Sequence, residues 1–194
     1  MTTTTDGLAV RPPRTRDEIV AELLRLSAEV ERVATRFDTP TFFAAQTEDG
    51  ETRWSPAEQV RHLTKSTYPL VRAFAIPRFV LLLRFGARLR GSDDYVAVAT
   101  RYAKYLDTRP DSGRFRPGRE QAAPDDARRA DIMAHWRDAT SRLSLAIERW
   151  PERALDRYRL PHPLMGLIST REMLYFTLFH TSHHARQMER RKKA

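Results

Sequence analysis

The sequence predicts an all-α fold, a four-helix bundle with a long crossover between its second and third helices. Apolar residues recur three and four positions apart in four long stretches, the spacing that lays them on one helical face. Two of these stretches open on a capping box, Ser55 with Glu58 and Ser169 with Glu172. No stretch alternates apolar and polar residues with the period of two expected of a half-buried strand.

The first helix is read from Thr15, which can cap a turn carrying Asp17 and Glu18. Its stripe is Ile19, Leu23, Leu26, Val30, Val33 and Phe37, and Pro40 should end it near Asp38 to Pro40. Gln46 to Thr52 reads as a polar turn. The second helix starts at Ser55 with Pro56 in its first position and carries Val60, Leu63, Thr67, Leu70, Val71 and Phe74; Pro69 or Pro77 should kink or end it. Arg78 to Pro124 forms the crossover, with short helices expected over Arg78 to Leu89 and Asp93 to Leu106. Asp125 and Asp126 open the third long helix, whose stripe is Ile132, Trp136, Leu143 and Ile147 and which Pro151 terminates. Pro161, Pro163 and Gly166 mark a constrained loop ahead of the last helix. That helix begins with Met173, Leu174, Tyr175, Phe176, Leu178 and Phe179 around most of its circumference, so it should be buried on several sides or shared with another subunit.

A chain of 194 residues is long enough to bury one apolar core, and residues 15–194 are read as one domain behind a flexible tail, residues 1–14. The absence of cysteine excludes disulfides, thiolate metal sites and a cysteine nucleophile. The net charge of +9 raises a nucleic-acid reading. The cations are dispersed among acidic residues, however, and only Arg190, Arg191, Lys192 and Lys193 form a tight run, so solvated helix faces are expected instead. The most apolar run, around Phe79 to Phe85, is far below the roughly 20 residues that span a bilayer. With no signal-like segment, a soluble cytoplasmic protein without a membrane partner is expected.

The chemistry is concentrated in histidine. His180 and His184, four residues apart on the last helix, share a face and can aim two imidazoles at one point. Thr181 stands where a zinc-protease helix needs its glutamate base, so that motif is excluded. Histidines in an otherwise apolar helix need partners, because an unpaired buried ring costs a few kcal/mol. A divalent ion with a third ligand would supply them and leave coordination positions open. His62, in the second turn of the second helix, is the natural third ligand; His135 and His162 are weaker candidates, the latter read as loop surface. His183 points about 100° away from His184 and is given a supporting role, with Gln187 placed to hold a ligand ring.

Trp54, Ser55, Pro56 and His62, followed much later by Pro163, Gly166, Glu172, His180, His183, His184 and Gln187, resemble the DinB-like superfamily. The resemblance implies a four-helix bundle with the crossover already read, a divalent metal held by His62, His180 and His184, and a homodimer. It also implies activity as a metal-dependent transferase that uses a low-molecular-weight thiol on a small-molecule substrate. Zinc, nickel, iron and manganese all suit three imidazoles and water. A hydrolytic variant, and a non-catalytic stress-response or binding module with a structural or vestigial metal, are the alternatives.

Overall fold

The computed structural model describes residues 5–48, 51–106, 113–119 and 123–191. Four long helices dominate, and each starts where a side chain satisfies the first unpaired backbone N–H groups. In α1 (Arg16–Ala34), α3 (Pro56–Ala75) and α8 (Thr170–Glu189) a complete capping box does so, built on Thr15 and Glu18, Ser55 and Glu58, and Ser169 and Glu172. In α6 (Asp126–Glu148) the Asp125 carboxylate accepts from the Ala127 N–H. These helices pack α1 on α6, α6 on α3, α3 on α8 and α8 back on α1. Two apolar clusters fill the interior. One gathers Leu23, Leu26, Phe74, Leu143, Ile147, Leu174 and Leu178; the other gathers Val30, Val33, Phe42, Val60, Leu63, Trp136 and Met188.

Several boundaries differ from the sequence expectation. The first helix stops at Ala34, and the Asp38 side chain accepts from the Thr41 N–H to start a separate short helix, α2 (Thr39–Phe43), whose Phe42 and Phe43 are buried. The expected turn at Gln46 to Thr52 is an antiparallel hairpin of β1 (Gln46–Glu48) and β2 (Glu51–Arg53), with Gln46 opposite Arg53. α3 runs through Pro69 and stops ahead of Pro77, where the chain bends by 105° into α4 (Arg78–Phe85). The crossover continues as α5 (Tyr95–Leu106), which packs on α8.

After α7 (Glu152–Arg157), the expected loop at Pro161 to Gly166 is a second hairpin, β3 (Arg159–His162) with β4 (Gly166–Ser169). Gly166 sits at φ 71°, a left-handed conformation that a residue with a Cβ adopts at a cost. Strands of three and four residues are too short to show a periodic signature, which is why an all-helical reading passed over them.

The described part of the segment expected to be a free tail lies on the helices. Leu8 is fully buried, its carbonyl accepts from the Ser182 hydroxyl, the Arg25 guanidinium donates to the Gly7 and Ala9 carbonyls, and the Arg11 N–H donates to Glu22 at 2.8 Å. Lys192 and Lys193 of the basic run lie outside the described residues. No single helix among the described residues is long and apolar enough to cross a membrane. The all-round apolarity of α8 is answered within the chain, since α1, α3, α5 and α7 all pack on it.

Candidate metal centre

His62 enters the interior from the second turn of α3 because the buried Ser55 and Glu58 box fixes where that helix begins. His180 and His184 enter from one face of α8, one turn apart. The three rings are 5–7 % exposed and meet at their Nε2 atoms, His180 standing 2.9 Å from His62 and 3.0 Å from His184. One ligating atom from each lies within 4.8 Å of the others. Ring centroids are 4.5–4.9 Å apart, so residues 118 positions apart in sequence form a single cluster. The Trp54 indole covers one side, 4.9 Å from His62 and stacked at 6.0 Å on His184.

The outer nitrogens fix the protonation pattern. His62 Nδ1 lies 2.9 Å from the Phe115 carbonyl and must donate to it; His184 Nδ1 donates to the Gln59 side-chain oxygen. Both rings therefore turn a bare Nε2 lone pair inward. His180 Nε2 can donate one proton to one of them, so the three cannot satisfy one another by hydrogen bonds. Burial, first of all, lowers the pKa of each ring, and neighbouring histidines lower His180 and His184 further, both well below the ordinary value. In His62 and His184 a neutral ring turns its lone pair inward while an oxygen holds the opposite nitrogen, which is what an imidazole ligand of a cation requires. The donor set fits a divalent ion bound by three nitrogens with positions left open.

The support behind His184 extends further. Gln59 donates its Nε2 to Gln187 at 3.0 Å, and Gln187 donates to His183 Nε2 at 2.8 Å. Gln187 thus holds Gln59, which holds the His184 ring, while His183 stacks beside Phe179 at 6.2 Å and stays outside the cluster. Gln59 and the Phe115 carbonyl were absent from the sequence reading. Gln59 was visible in principle, one turn before His62 on the same face of α3; a backbone carbonyl in the crossover has no sequence signal.

His135, a weaker candidate, is exposed and outside the cluster, with its side chain 58 % accessible beside Asp131. His162 is not the surface residue expected: it is 6 % exposed, its Nδ1 accepts from the Leu164 and Met165 N–H groups at 3.2 and 3.1 Å, and its ring packs 4.3 Å from Phe176. Burial, aided by the Arg101 charge, brings its pKa down to about 4. Phe176 in turn stacks on His180 at 5.2 Å, so His162 packs behind the cluster rather than joining it.

No curated protein matches the chain. Among solved structures, the colibactin self-resistance protein ClbS in complex with a dsDNA has the same fold, with a TM-score of 0.52 over 91 % of this chain and 94 % of that one at 13 % identity. The sequence profile of the DinB superfamily matches residues 2–188, and it matches a helical chain whose α3 and α8 meet at a buried histidine cluster: the chain belongs to the DinB superfamily.

Proposed function

We propose that the protein holds one divalent metal ion on the Nε2 atoms of His62, His180 and His184 and acts as a metal-dependent enzyme, presenting a low-molecular-weight thiol to an electrophilic small molecule. The observation that carries the reading is the set of three converging, neutral ring nitrogens that cannot satisfy one another. A bound ion supplies positive charge that draws a thiol, with an ordinary pKa of about 8.5, toward its thiolate. The chain has no cysteine, so the thiol comes from outside.

The protein's own part is positional. The Phe115 carbonyl and Gln59 fix the orientation of two ligand rings, burial keeps all three rings neutral at pH 7, and Trp54 excludes water from one side. The frame that holds them is read as a four-helix bundle of α1, α3, α6 and α8, with residues 15–194 as one domain.

Elemental analysis of the purified protein beside His62→Ala and His180→Ala tests the site directly. One divalent ion per chain is expected in the parent and loss of it in both variants; a parent that takes up no ion overturns the reading. Thiol-dependent turnover of a panel of epoxides and halides, abolished by His180→Ala, then tests the chemistry. A metal-loaded protein that is silent across the panel points instead to the non-catalytic module. The net charge of +9, together with a fold neighbour solved on duplex DNA, supports a second reading as a nucleic-acid binder, decided by a gel shift at low and moderate salt.

A further inference from the structure

A surface away from the histidines has its own chemistry. Between Glu58 and Asp93 the chain contains no acidic residue, and every charged residue in that stretch is basic. At its centre is α4, which turns Leu81 inward but leaves Phe79 65 % and Leu83 82 % exposed, four residues apart and so on one face. Leu89, just past the turn at Gly86, is 100 % exposed. Single exposed apolar residues are ordinary; three large ones on a short helix and its exit are not.

Arg88 in this segment turns inward to pair with Glu172, but the exposed cations around the patch differ. Arg78, Arg84 and Arg90 are exposed, and no carboxylate among the described residues pairs with them; Arg78 rests 5.9 Å from the Trp150 ring and Arg84 5.6 Å from Phe85. The end of the same segment is tied to α7, where the Arg88 N–H donates to the Arg157 carbonyl at 2.8 Å and Ala87 bridges to Tyr158. This brings exposed Arg157 beside the patch.

We propose that α4 and its exit turn dock on an anionic phospholipid surface, with Phe79 and Leu83 entering the interface and Arg78, Arg84 and Arg90 pairing with lipid phosphates. No helix crosses the bilayer in such an arrangement; an amphipathic element lying in the headgroup layer needs only an apolar face and flanking cations. A second copy of the chain fits less well, because a two-fold contact would set arginine against arginine with no acid between them. Nucleic acid would take the arginines and leave Phe79 and Leu83 in water. A folded protein partner would need pockets for side chains that stand out from the surface, whereas a fluid interface accepts them as they are.

Sedimentation of the full-length chain with vesicles tests this. Binding is expected to vesicles of phosphatidylcholine with added phosphatidylglycerol and not to phosphatidylcholine alone, and to weaken when salt rises from about 0.1 to about 0.5 M. Replacing Phe79 and Leu83 together by serine should lower partitioning at least about tenfold. Arg84→Gln should lower it about fivefold. Both changes are on exposed side chains, and circular dichroism checks that the helices persist. Indifference to phosphatidylglycerol, or a double-serine variant that partitions like the parent, overturns the proposal. So does a double-serine variant that turns a dimer into a monomer by light scattering, or one that loses duplex DNA binding while the parent ignores vesicles.

Discussion

Gln59 shows how much of a histidine site is decided by residues that never touch its centre. Its amide oxygen takes the His184 Nδ1 proton and its nitrogen donates to Gln187, so one side chain sets both the tautomer and the orientation of the ring. Gln59→Leu removes the acceptor and leaves all three clustered histidines in place. We expect roughly a 10- to 100-fold loss of metal affinity by chelator competition, with the fold retained and partial rescue by Gln59→Glu, whose carboxylate can accept the same proton. An unchanged affinity would show that packing against Trp54 alone orients His184.

Glu172 plays the corresponding part for elements. Its side chain is fully buried, closes the Ser169 capping box at 3.0 Å, accepts the Asp93 N–H at 2.9 Å and pairs with Arg88 at 2.7 Å. The start of α8 is thereby joined to the crossover between α4 and α5, and the helix that carries two of the three clustered histidines cannot shift without breaking that ion pair. Arg88→Met leaves a buried carboxylate without its cation and should destabilise the protein by about 3–5 kcal/mol in urea unfolding. Glu172→Gln in the Arg88→Met background should recover part of that loss, since the amide carries no charge to desolvate.

At the scale of the whole molecule, five histidines have their pKa lowered by burial: His62, His162, His180, His183 and His184. Each is neutral when folded at a pH where the unfolded chain, with an ordinary value near 6.5, begins to take up a proton. The unfolded state therefore binds more protons below that value, and stability falls as pH drops. For His162 the window runs from about 6.5 down to about 4, and it alone is worth up to about 3 kcal/mol. Chemical denaturation of the metal-free protein should show a midpoint that declines steadily from pH 7 to pH 4.5, with a shallower decline in His162→Phe. A flat profile over that range would show that the rings are solvated and charged within the fold.

Local chemistry sufficed for part of this architecture. Capping boxes at Thr15, Ser55 and Ser169 place helix starts because they act within one turn, and the spacing of His180 and His184 puts two rings on one face for the same reason. The fates of His62 and His162 were not local. Each is a lone histidine in its stretch of sequence, yet one meets the α8 pair and the other is shut behind Phe176, because the packing of α3 and of the β3–β4 hairpin against α8 decides which ring goes where. The Phe115 carbonyl, the hairpins and the burial of Leu8 likewise arise only when distant segments come together. Sequence pattern reports interactions across a few residues; a site assembled across more than a hundred is set by the packing of the whole chain.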